Sequence, residues 1–280
     1  MSLEKVSDIL KGALENKYGV AAFNIFNYET IKFAVNAAEQ ADKPVIIQLY
    51  PGFVNYISFE TAAGITKELA EKAKVPVGLH LDHCGDVEMI KQAMRAGFMS
   101  VMYDGSRLSF DENIKITREV VKAAKDFDAD VEAELGNIGS AADISDYTDA
   151  SKFTAPDDAL KFYNETGVGS LAVAVGNAHG NYAVLPNLDF ARIKEISESI
   201  KIPLVLHGGS GIPDEQLREG VKCGIAKINV ATEYFHVFYK AAEKYVNGNN
   251  REDMFSCMKS SQEDINKFLM EKINILNNGG

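Results

Sequence analysis

The chain alternates between short apolar runs and longer stretches with helical periodicity. Several runs are nearly continuous in apolar residues, as in 44–49 (PVIIQL), which is typical of parallel strands buried on both faces. In 29–41, Ile31, Val35 and Ala38 recur at a spacing that predicts one apolar helix stripe. The predicted strands are 19–24, 44–49, 76–81, 98–103, 130–135, 170–175, 203–206 and 225–230.

Eight strand–helix units in a chain of this length predict an α/β protein, specifically a (β/α)8 TIM barrel with extra C-terminal helices. A doubly wound open sheet is the alternative. Because no linker or break in composition divides the 280 residues, we predict a single barrel domain over 1–280. A C-terminal helical extension at about 232–280 contains two predicted helices, 232–247 and 251–277, which either contact another subunit or cap the barrel.

Composition argues against several classes of partner. The net charge is −11 and no cluster of Lys and Arg stands out, so nucleic acid is not an expected partner. Cys84, Cys223 and Cys257 are far apart and form no CxxC, which fits a reducing compartment rather than a disulfide framework. No stretch approaches the ~20 apolar residues of a membrane span, and the N-terminus has no signal-peptide pattern. We therefore expect a cytoplasmic protein without a membrane partner.

Most of the predicted strands run into polar residues, and three of these are histidines. His83, His179 and His207 follow the third, sixth and seventh strands. In a (β/α)8 barrel the carboxyl ends of all strands meet on one face, where active sites lie. A lone buried histidine is more often a hydrogen-bonded core residue, but three at strand ends favour a site. Three imidazoles suit Zn²⁺ with an open fourth position, and such a metal can polarise a carbonyl.

Other polar residues near these histidines allow more than one interpretation. Asp82 is either a general acid/base beside the metal or a carboxylate that orients an imidazole. His80 lies three residues before His83, so strand alternation predicts that it faces the opposite side and packs there. His236, on a late helix, is expected to be structural or exposed.

Two stretches predict a phosphate site. The segment 207–211 (HGGSG) offers backbone N–H groups that can form an anion nest, and 229–232 (NVAT) precedes a helix whose N-terminus attracts phosphate. The loops after strands seven and eight are the usual phosphate site of such barrels. The alternative is that these glycines only make turns.

Together these motifs resemble class II (metal-dependent) ketose-bisphosphate aldolases, in particular the shorter fructose- and tagatose-bisphosphate aldolases. The resemblance runs from about residue 18 to about residue 233, and the motifs are specific in combination and order. They are LHLDH (79–83), SVMYDGS (100–106), VEAELG (131–136), SLAVAVGNAHGNY (170–182), PLVLHGGSG (203–211) and KINVATE (227–233). The resemblance implies a lyase of carbohydrate metabolism, of the glycolytic type, that cleaves a ketose 1,6-bisphosphate into dihydroxyacetone phosphate and an aldehyde phosphate.

We also expect a homo-oligomer, a dimer or a tetramer, since extra helices commonly make subunit contacts. The resemblance implies roles for individual residues. Asp82 would take the C4-hydroxyl proton in cleavage and return it in condensation, while zinc stabilises the enediolate of dihydroxyacetone phosphate. Asp104 and Glu134 match positions associated with a second metal position, and a monovalent cation (Na⁺ or K⁺) would bind near Gly180. The zinc ligands would be His83, His179 and His207. The substrate and phosphate side would comprise Asn24, Gly180, Gly208, Gly209, Ser210, Asn229, Val230, Ala231 and Thr232.

The sequence departs from the family pattern at three places. The loop after the fifth strand reads GNIGSAAD (136–143), and Ala142 stands where the family usually has a glutamate that handles the proton on the enediolate carbon. Tyr50 stands where a serine usually lies near the substrate carbonyl. After Arg218 the only arginine is Arg251, which leaves the partner of the distal phosphate open.

These departures leave alternatives open. If Asp143, the acid nearest to Ala142, reaches the metal site from the loop 136–153, catalysis is favoured. The chain could otherwise be an aldolase for a different phosphorylated ketose, or a catalytically impaired homologue that binds a sugar phosphate as a sensor. A Schiff-base aldolase using Lys227 is a further alternative, although no lysine lies in the three ligand motifs.

Overall fold

The eight predicted strands close into a parallel barrel in which each strand pairs with the next along the chain. The computed structural model describes residues 3–248 and 253–277, so Arg251 lies outside the described residues. The last strand pairs with the first, Val20 with Lys227 and Phe23 with Val230, which closes the ring. The predicted (β/α)8 barrel is therefore confirmed. Its strands are β1 (Val20–Asn24), β2 (Val45–Leu49), β3 (Val77–Cys84), β4 (Ser100–Tyr103), β5 (Asp130–Leu135), β6 (Ser170–Val173), β7 (Leu204–Leu206) and β8 (Ile225–Val230).

Helices alternate with the strands and surround the barrel. They are α1 (Val6–Asn16), α2 (Tyr28–Ala41), α3 (Phe59–Lys72), α4 (Val87–Arg95), α5 (Phe110–Ala124), α6 (Ser145–Thr148), α7 (Pro156–Thr166), α8 (Phe190–Ile200), α9 (Asp214–Cys223), α10 (Thr232–Asn247) and α11 (Met254–Asn277). Several begin where the sequence supplies a cap. Asn27 with Thr30 before α2, and Ser109 with Glu112 before α5, each form a capping box.

Strand alternation separates an apolar outer face from a partly polar interior. Leu79 and Leu81 of β3 pack in the core between strands and helices. Glu132 of β5 and Lys227 of β8 are fully buried and meet inside the barrel. Alternating residues of a barrel strand point inward and outward, so every second residue of these strands is available to the interior.

Helix α1 closes the amino-terminal end of the barrel. A Cβ on Gly78 would lie 2.8 Å from the Val6 side chain, so a glycine lets α1 sit against β3. Residues of α1 form an apolar cluster with residues of three strands. Its members are Val6, Ile9, Leu10, Ala13, Val20, Ala22, Ile46 and Ala226. Apolar side chains fill the amino-terminal end of the barrel, and the polar groups that line the cavity lie at its carboxyl-terminal end.

Strand β3 breaks the alternation at its end. His83 has a left-handed backbone (φ +45°), and the register between β3 and β4 shifts beside it. His80 points into the interior, where its Nδ1 lies 2.8 Å from Ser100 Oγ, and His83 also points inward, toward His207. The prediction that His80 and His83 face opposite sides is wrong, because the irregularity cancels one step of the alternation.

The two C-terminal helices pack back on the barrel. Helix α11 contacts α10, α2 and α9, and the Gly19 N–H donates to the Leu276 carbonyl (2.8 Å) where β1 begins. Lys272 of α11, nearly buried, pairs with Glu233 of α10 (2.9 Å). These contacts fit a cap on the barrel, and the homo-oligomer stays a prediction. Among the described helices, none combines the length and apolar character that crossing a lipid bilayer requires.

Candidate active site

Three imidazoles converge at the carboxyl ends of β3, β6 and β7. His83 Nε2 lies 3.0 Å from His179 Nε2 and 2.7 Å from His207 Nδ1. One ring nitrogen from each residue falls within 4.8 Å of the others, which is close enough for all three to share a metal ion. The barrel thus brings together residues that are 96 and 124 positions apart in the sequence.

Each imidazole is oriented by a hydrogen-bond acceptor at the ring nitrogen that faces away from the other two histidines. The contacts are His83 Nδ1 to Asp104 Oδ2 (2.9 Å), His179 Nδ1 to the Ile138 carbonyl oxygen (3.1 Å) and His207 Nε2 to Glu132 Oε1 (2.9 Å). A neutral imidazole has a single N–H, and these acceptors occupy it. In the neutral form of each ring, the lone pair is therefore on Nε2 of His83, Nε2 of His179 and Nδ1 of His207, and these three atoms lie within 4.8 Å of one another.

Burial keeps two of the imidazoles neutral. It lowers the pKa of His179 to about 4 and the pKa of His207 well below its ordinary value. Burial acts in the same direction on His83, but the carboxylates of Asp82 and Asp104 raise its pKa to about 9. Because a metal ion binds the neutral ring, binding would displace the proton of His83.

Two carboxylates extend the cluster beyond the histidines. Asp104 and Glu134 form, with His83, a second group of ligand atoms within 4.8 Å of one another. Glu134 Oε2 is buried, lies 3.5 Å from His207 Nδ1 and has no hydrogen-bond partner among the described residues. Burial raises the pKa of Glu134 to about 8. A divalent cation would satisfy both this oxygen and the imidazole lone pairs, so the donor set fits zinc.

Asp82 is held between two side-chain amides. Asn24 Nδ2 donates to Oδ2 at 2.8 Å, and Asn229 Nδ2 donates to Oδ1 at 3.0 Å. Burial by itself would raise the pKa of Asp82, but nearby positive charge, chiefly on His83, lowers it overall. Among the described residues its hydrogen bonds go to amides rather than to an imidazole, which favours acid/base chemistry over orientation of a ligand.

The loops that follow β7 and β8 are joined by hydrogen bonds. Gly208 has a left-handed backbone (φ +61°), and a Cβ there would collide with the Ala178 carbonyl oxygen. Ser210 Oγ accepts a hydrogen bond from the Glu233 N–H (3.2 Å) in the first turn of α10. Ala231, which precedes α10, provides no side-chain cap, so an anion could take that place.

A cavity of about 1110 Å³ opens at this end of the barrel. Most of the residues predicted for the site line it, while His207 lies fully buried beneath. Gly209 and Val230 are not in its wall, and Val230 packs in the core outside the barrel. Sequence reasoning missed several wall residues that lie in the segments after the strands, including the first turns of short or following helices, where no strand motif marks them. These are Phe53, Ser106, Arg107, Asn137, Asp146 and Phe235.

Comparison with known proteins identifies the family of this barrel. The family model described as class II fructose-bisphosphate aldolase matches residues 4–280. The chain belongs to the class II fructose-bisphosphate aldolase family. The YdjI aldolase of Escherichia coli K12 is similar at 35% identity over 99% of this chain and 98% of that one, with a TM-score of 0.88. The fructose-bisphosphate aldolase of Campylobacter jejuni is 22% identical and shares the fold over 100% of this chain and 97% of that one, with a TM-score of 0.85.

In this class II aldolase the acid nearest to Ala142 does not line the cavity. Asp143 is exposed, and its carboxylate accepts hydrogen bonds from the Ser145 N–H (3.0 Å) and hydroxyl (2.8 Å). Its carboxylate therefore bonds to the first residue of the short helix α6 and does not contribute to the wall of the cavity. The condition under which Asp143 would favour catalysis, that it reaches the metal site, is not met by this placement.

Another acid of the same loop does lie in the cavity wall. Asp146 accepts hydrogen bonds from the Ser140 N–H (2.9 Å) and from Lys152 Nζ (2.8 Å). Ser140 in turn forms a parallel bridge with His179, which attaches this loop to the histidine cluster. The loop of the aldolase thus presents a carboxylate to the cavity three residues beyond the position expected from the sequence.

Lys227 of this aldolase is not placed to form a Schiff base. Its side chain is 0% exposed, its Nζ lies 2.9 Å from Glu132 Oε2, and it does not line the cavity. A Schiff-base lysine must reach the carbonyl of the substrate. The structure therefore argues against this alternative.

Proposed function

We propose that this class II aldolase depends on zinc and reversibly cleaves a ketose 1,6-bisphosphate, of the fructose or tagatose type, into dihydroxyacetone phosphate and an aldehyde phosphate. The observation that carries the proposal is the convergence of three imidazole nitrogens at a cavity that also contains Asp82. Three imidazole nitrogen donors with an open side are the ligand set of catalytic zinc sites.

The zinc ion would be held by His83 Nε2, His179 Nε2 and His207 Nδ1. When bound, it supplies a Lewis acid for the ketone and stabilises the charge left by carbon–carbon cleavage. Burial keeps His179 and His207 neutral, and acceptors on the ring nitrogens that face away from the cluster orient all three ligands. Asp104 and Glu134 would serve a second metal position, and a monovalent cation (Na⁺ or K⁺) would lie near Gly180.

Asp82 would accept the proton of the C4 hydroxyl in cleavage and return it in condensation. The amides of Asn24 and Asn229 fix the carboxylate plane and leave a lone pair on each oxygen for the hydroxyl. Gln48 Nε2 donates to Asn24 Oδ1 (2.7 Å), so the orientation of Asn24 is itself determined. The lowered pKa of Asp82 supplies the ionised form that cleavage requires.

The phosphate of the triose half would bind between the loop after β7 and the start of α10. Gly208, Ser210 and Thr232 line this part of the cavity. Their backbone N–H groups and hydroxyls, together with the helix N-terminus, are the groups that attract phosphate in barrels of this type.

Arg107 is the candidate for the phosphate at the other end of the ketose. Its side chain is exposed, lines the cavity and forms no ion pair among the described residues. Arg107 follows β4, whereas the nest for the triose phosphate adjoins β8, and these two strands lie across the ring from each other. A ketose with a phosphate at each end fits this division, because arginine pairs well with phosphate.

A different phosphorylated ketose is the second candidate, and Tyr50 favours it. The Tyr50 ring packs edge-on against Phe53 (centroids 5.6 Å apart), and Phe53 packs against Phe235 (5.9 Å). All three line the cavity, so an aromatic wall stands where a serine is usual in the family. Such a wall offers apolar surface to the C–H faces of a substrate and removes room beside β2.

A cleavage assay on metal-depleted protein reconstituted with zinc tests the proposal. Fructose 1,6-bisphosphate and tagatose 1,6-bisphosphate are compared with fructose 1-phosphate, and the release of dihydroxyacetone phosphate is measured. We expect cleavage of at least one bisphosphate, loss of activity on chelation and recovery with zinc. Cleavage of other phosphorylated ketoses alone would support the second candidate.

Asp82→Asn is the matched control, since it leaves the three histidines in place. This variant is expected to bind zinc and to lose cleavage. Zinc-loaded wild-type protein that binds dihydroxyacetone phosphate, yet neither cleaves a ketose nor exchanges the C3 proton with solvent, would contradict the proposal and indicate a sugar-phosphate sensor.

A further inference from the structure

A buried ion pair lies beneath the three histidines. Lys227 of β8 and Glu132 of β5 meet inside the barrel, with Nζ 2.9 Å from Glu132 Oε2. Their side chains are 0% and 1% exposed, and neither residue lines the cavity. Taking two charges out of water is costly, and apolar residues of similar volume often serve stability as well. The proposed mechanism uses Glu132 only as an acceptor for His207 and gives Lys227 no role, so the presence of the lysine calls for an explanation.

Glu132 also contacts a proposed zinc ligand. Its Oε1 lies 2.9 Å from His207 Nε2, while its Oε2 faces Lys227. A third group, His80 Nε2, lies 3.8 Å from Oε2 and has no hydrogen-bond partner among the described residues. The two oxygens of Glu132 therefore connect the lysine ammonium to the imidazole of His207.

This connection fixes which nitrogen of His207 carries hydrogen. A carboxylate oxygen can only accept, so His207 Nε2 donates, and the neutral ring keeps its lone pair on Nδ1. Nδ1 lies 2.7 Å from His83 Nε2, at the centre of the histidine cluster. The ammonium of Lys227 balances the charge of Glu132 and holds one of its oxygens, which keeps the other oxygen directed at His207.

We propose that Lys227 is a positioning residue for the metal centre, acting through Glu132 to hold His207 with Nδ1 toward the metal. The inference rests on the proposed function, because it takes the three histidines as zinc ligands. Lys227 would touch neither substrate nor metal. It contacts Glu132, and Glu132 contacts the proposed ligand His207. The competing explanation is that the ion pair only stabilises the barrel interior.

Zinc binding by charge-neutralised variants tests the inference. The variants are Lys227→Met, Glu132→Gln and the double substitution, and Lys272→Met is the matched control. Lys272 is also nearly buried and pairs with a glutamate, Glu233, at 2.9 Å, but no imidazole of the described part of the chain connects that pair to the histidines. Zinc affinity is measured by competition with a chelator, using zinc alone. The absorption spectrum of the cobalt-substituted protein reports the ligand geometry.

We expect each single variant to weaken zinc binding about 10-fold to 100-fold, as loss of a group that orients a metal ligand does. The cobalt spectrum changes with it. The double variant should lose no more than the single ones, because both residues act through one connection. It also removes both charges together, so it keeps the interior neutral and stays testable if a single variant does not fold. Lys272→Met should bind zinc like the wild type.

The inference is overturned if folded variants at 227 and 132 bind zinc with wild-type affinity and show the wild-type cobalt spectrum. If the ion pair only stabilises the barrel interior, these variants should have a lower unfolding temperature and unchanged zinc binding. A wild-type protein that does not bind zinc would instead reject the proposed function, so the two failures are distinguishable.

Discussion

Asp146 accepts a hydrogen bond from the backbone N–H of Ser140, at 2.9 Å, and so lies in the wall of the cavity. The neighbouring Ala141 N–H donates to the His179 carbonyl at 2.8 Å. A Cβ at Gly139 would collide with the Asp146 carboxylate, so glycine is needed there. The one acid of this loop that lines the cavity is therefore attached to the segment that carries a proposed zinc ligand.

Asp146→Asn tests whether this carboxylate moves the C3 proton of dihydroxyacetone phosphate. General acid–base groups contribute about 10²-fold to 10⁴-fold. We therefore expect exchange of this proton with solvent, followed by NMR in deuterium oxide, to fall about 100-fold or more while zinc binding is kept. Asp143→Asn is the control, because that carboxylate is exposed and bonded to Ser145. Loss of exchange in the Asp143 variant alone would contradict the assignment.

Arg107→Met should raise KM for a ketose bisphosphate about 10-fold to 100-fold, since a hydrogen bond to a charged group contributes about 1.5–3 kcal/mol. The KM for fructose 1-phosphate, which has no distal phosphate, should stay unchanged. Arg118→Met is the control, because Arg118 is exposed and faces Glu165 (3.6 Å) away from the cavity wall. An equal rise in KM for both substrates would show that Arg107 does not bind the distal phosphate.

Tyr50→Ser should change the choice between ketoses. Removing the ring opens space beside β2, while Phe53 and Phe235 keep the rest of the wall. Pocket groups of this kind discriminate by about 1–3 kcal/mol, so we expect the ratio of kcat/KM between two ketoses to change about tenfold or more. Tyr56→Ser, at a residue that is 74% exposed and not in the cavity wall, is the control. An unchanged ratio of kcat/KM would show that Tyr50 does not determine the choice between ketoses.

Borohydride, which traps a Schiff base, and a chelator, which removes the metal, distinguish a Schiff-base aldolase from a zinc-dependent one. Borohydride in the presence of dihydroxyacetone phosphate should leave the protein active, because Lys227 Nζ is buried against Glu132 and cannot reach the carbonyl. Removal of zinc should abolish cleavage, and added zinc should restore it. Inactivation by borohydride, with a substrate fragment attached to Lys227, would reverse this conclusion.

Tyr182→Phe should destabilise the junction between the loops after β6 and β7. The Tyr182 hydroxyl accepts from the Ala178 N–H (2.8 Å) and donates to the Gly208 carbonyl (3.0 Å). Burial raises the pKa of Tyr182 to about 12, so the hydroxyl keeps its proton. Leaving these groups unpaired should lower the free energy of unfolding by about 1–3 kcal/mol in a urea titration. Tyr239→Phe, at an exposed hydroxyl, should be close to wild type, and an equal loss in both would contradict the assignment.

The barrel could be predicted from the sequence because its signals are local. Strands buried on both faces are continuous apolar runs, and helix starts carry capping residues, so each element is marked by its own few residues. A closed parallel barrel then brings all carboxyl strand ends to one face, which gathers His83, His179 and His207 without further information. The residue types at these ends determined the kind of chemistry to expect.

Tertiary structure alone decided the remaining features of the site. The left-handed backbone of His83 turned His83 itself into the interior, on the same side as His80. The fold of the loop after β5 brought Asp146 rather than Asp143 to the cavity, and Lys227 pairs with a buried carboxylate and does not line the cavity. Each outcome depends on a backbone irregularity or on contacts between residues far apart in the chain. Periodicity and motif spacing carry no information about such contacts, because they are set by how the closed barrel packs its interior.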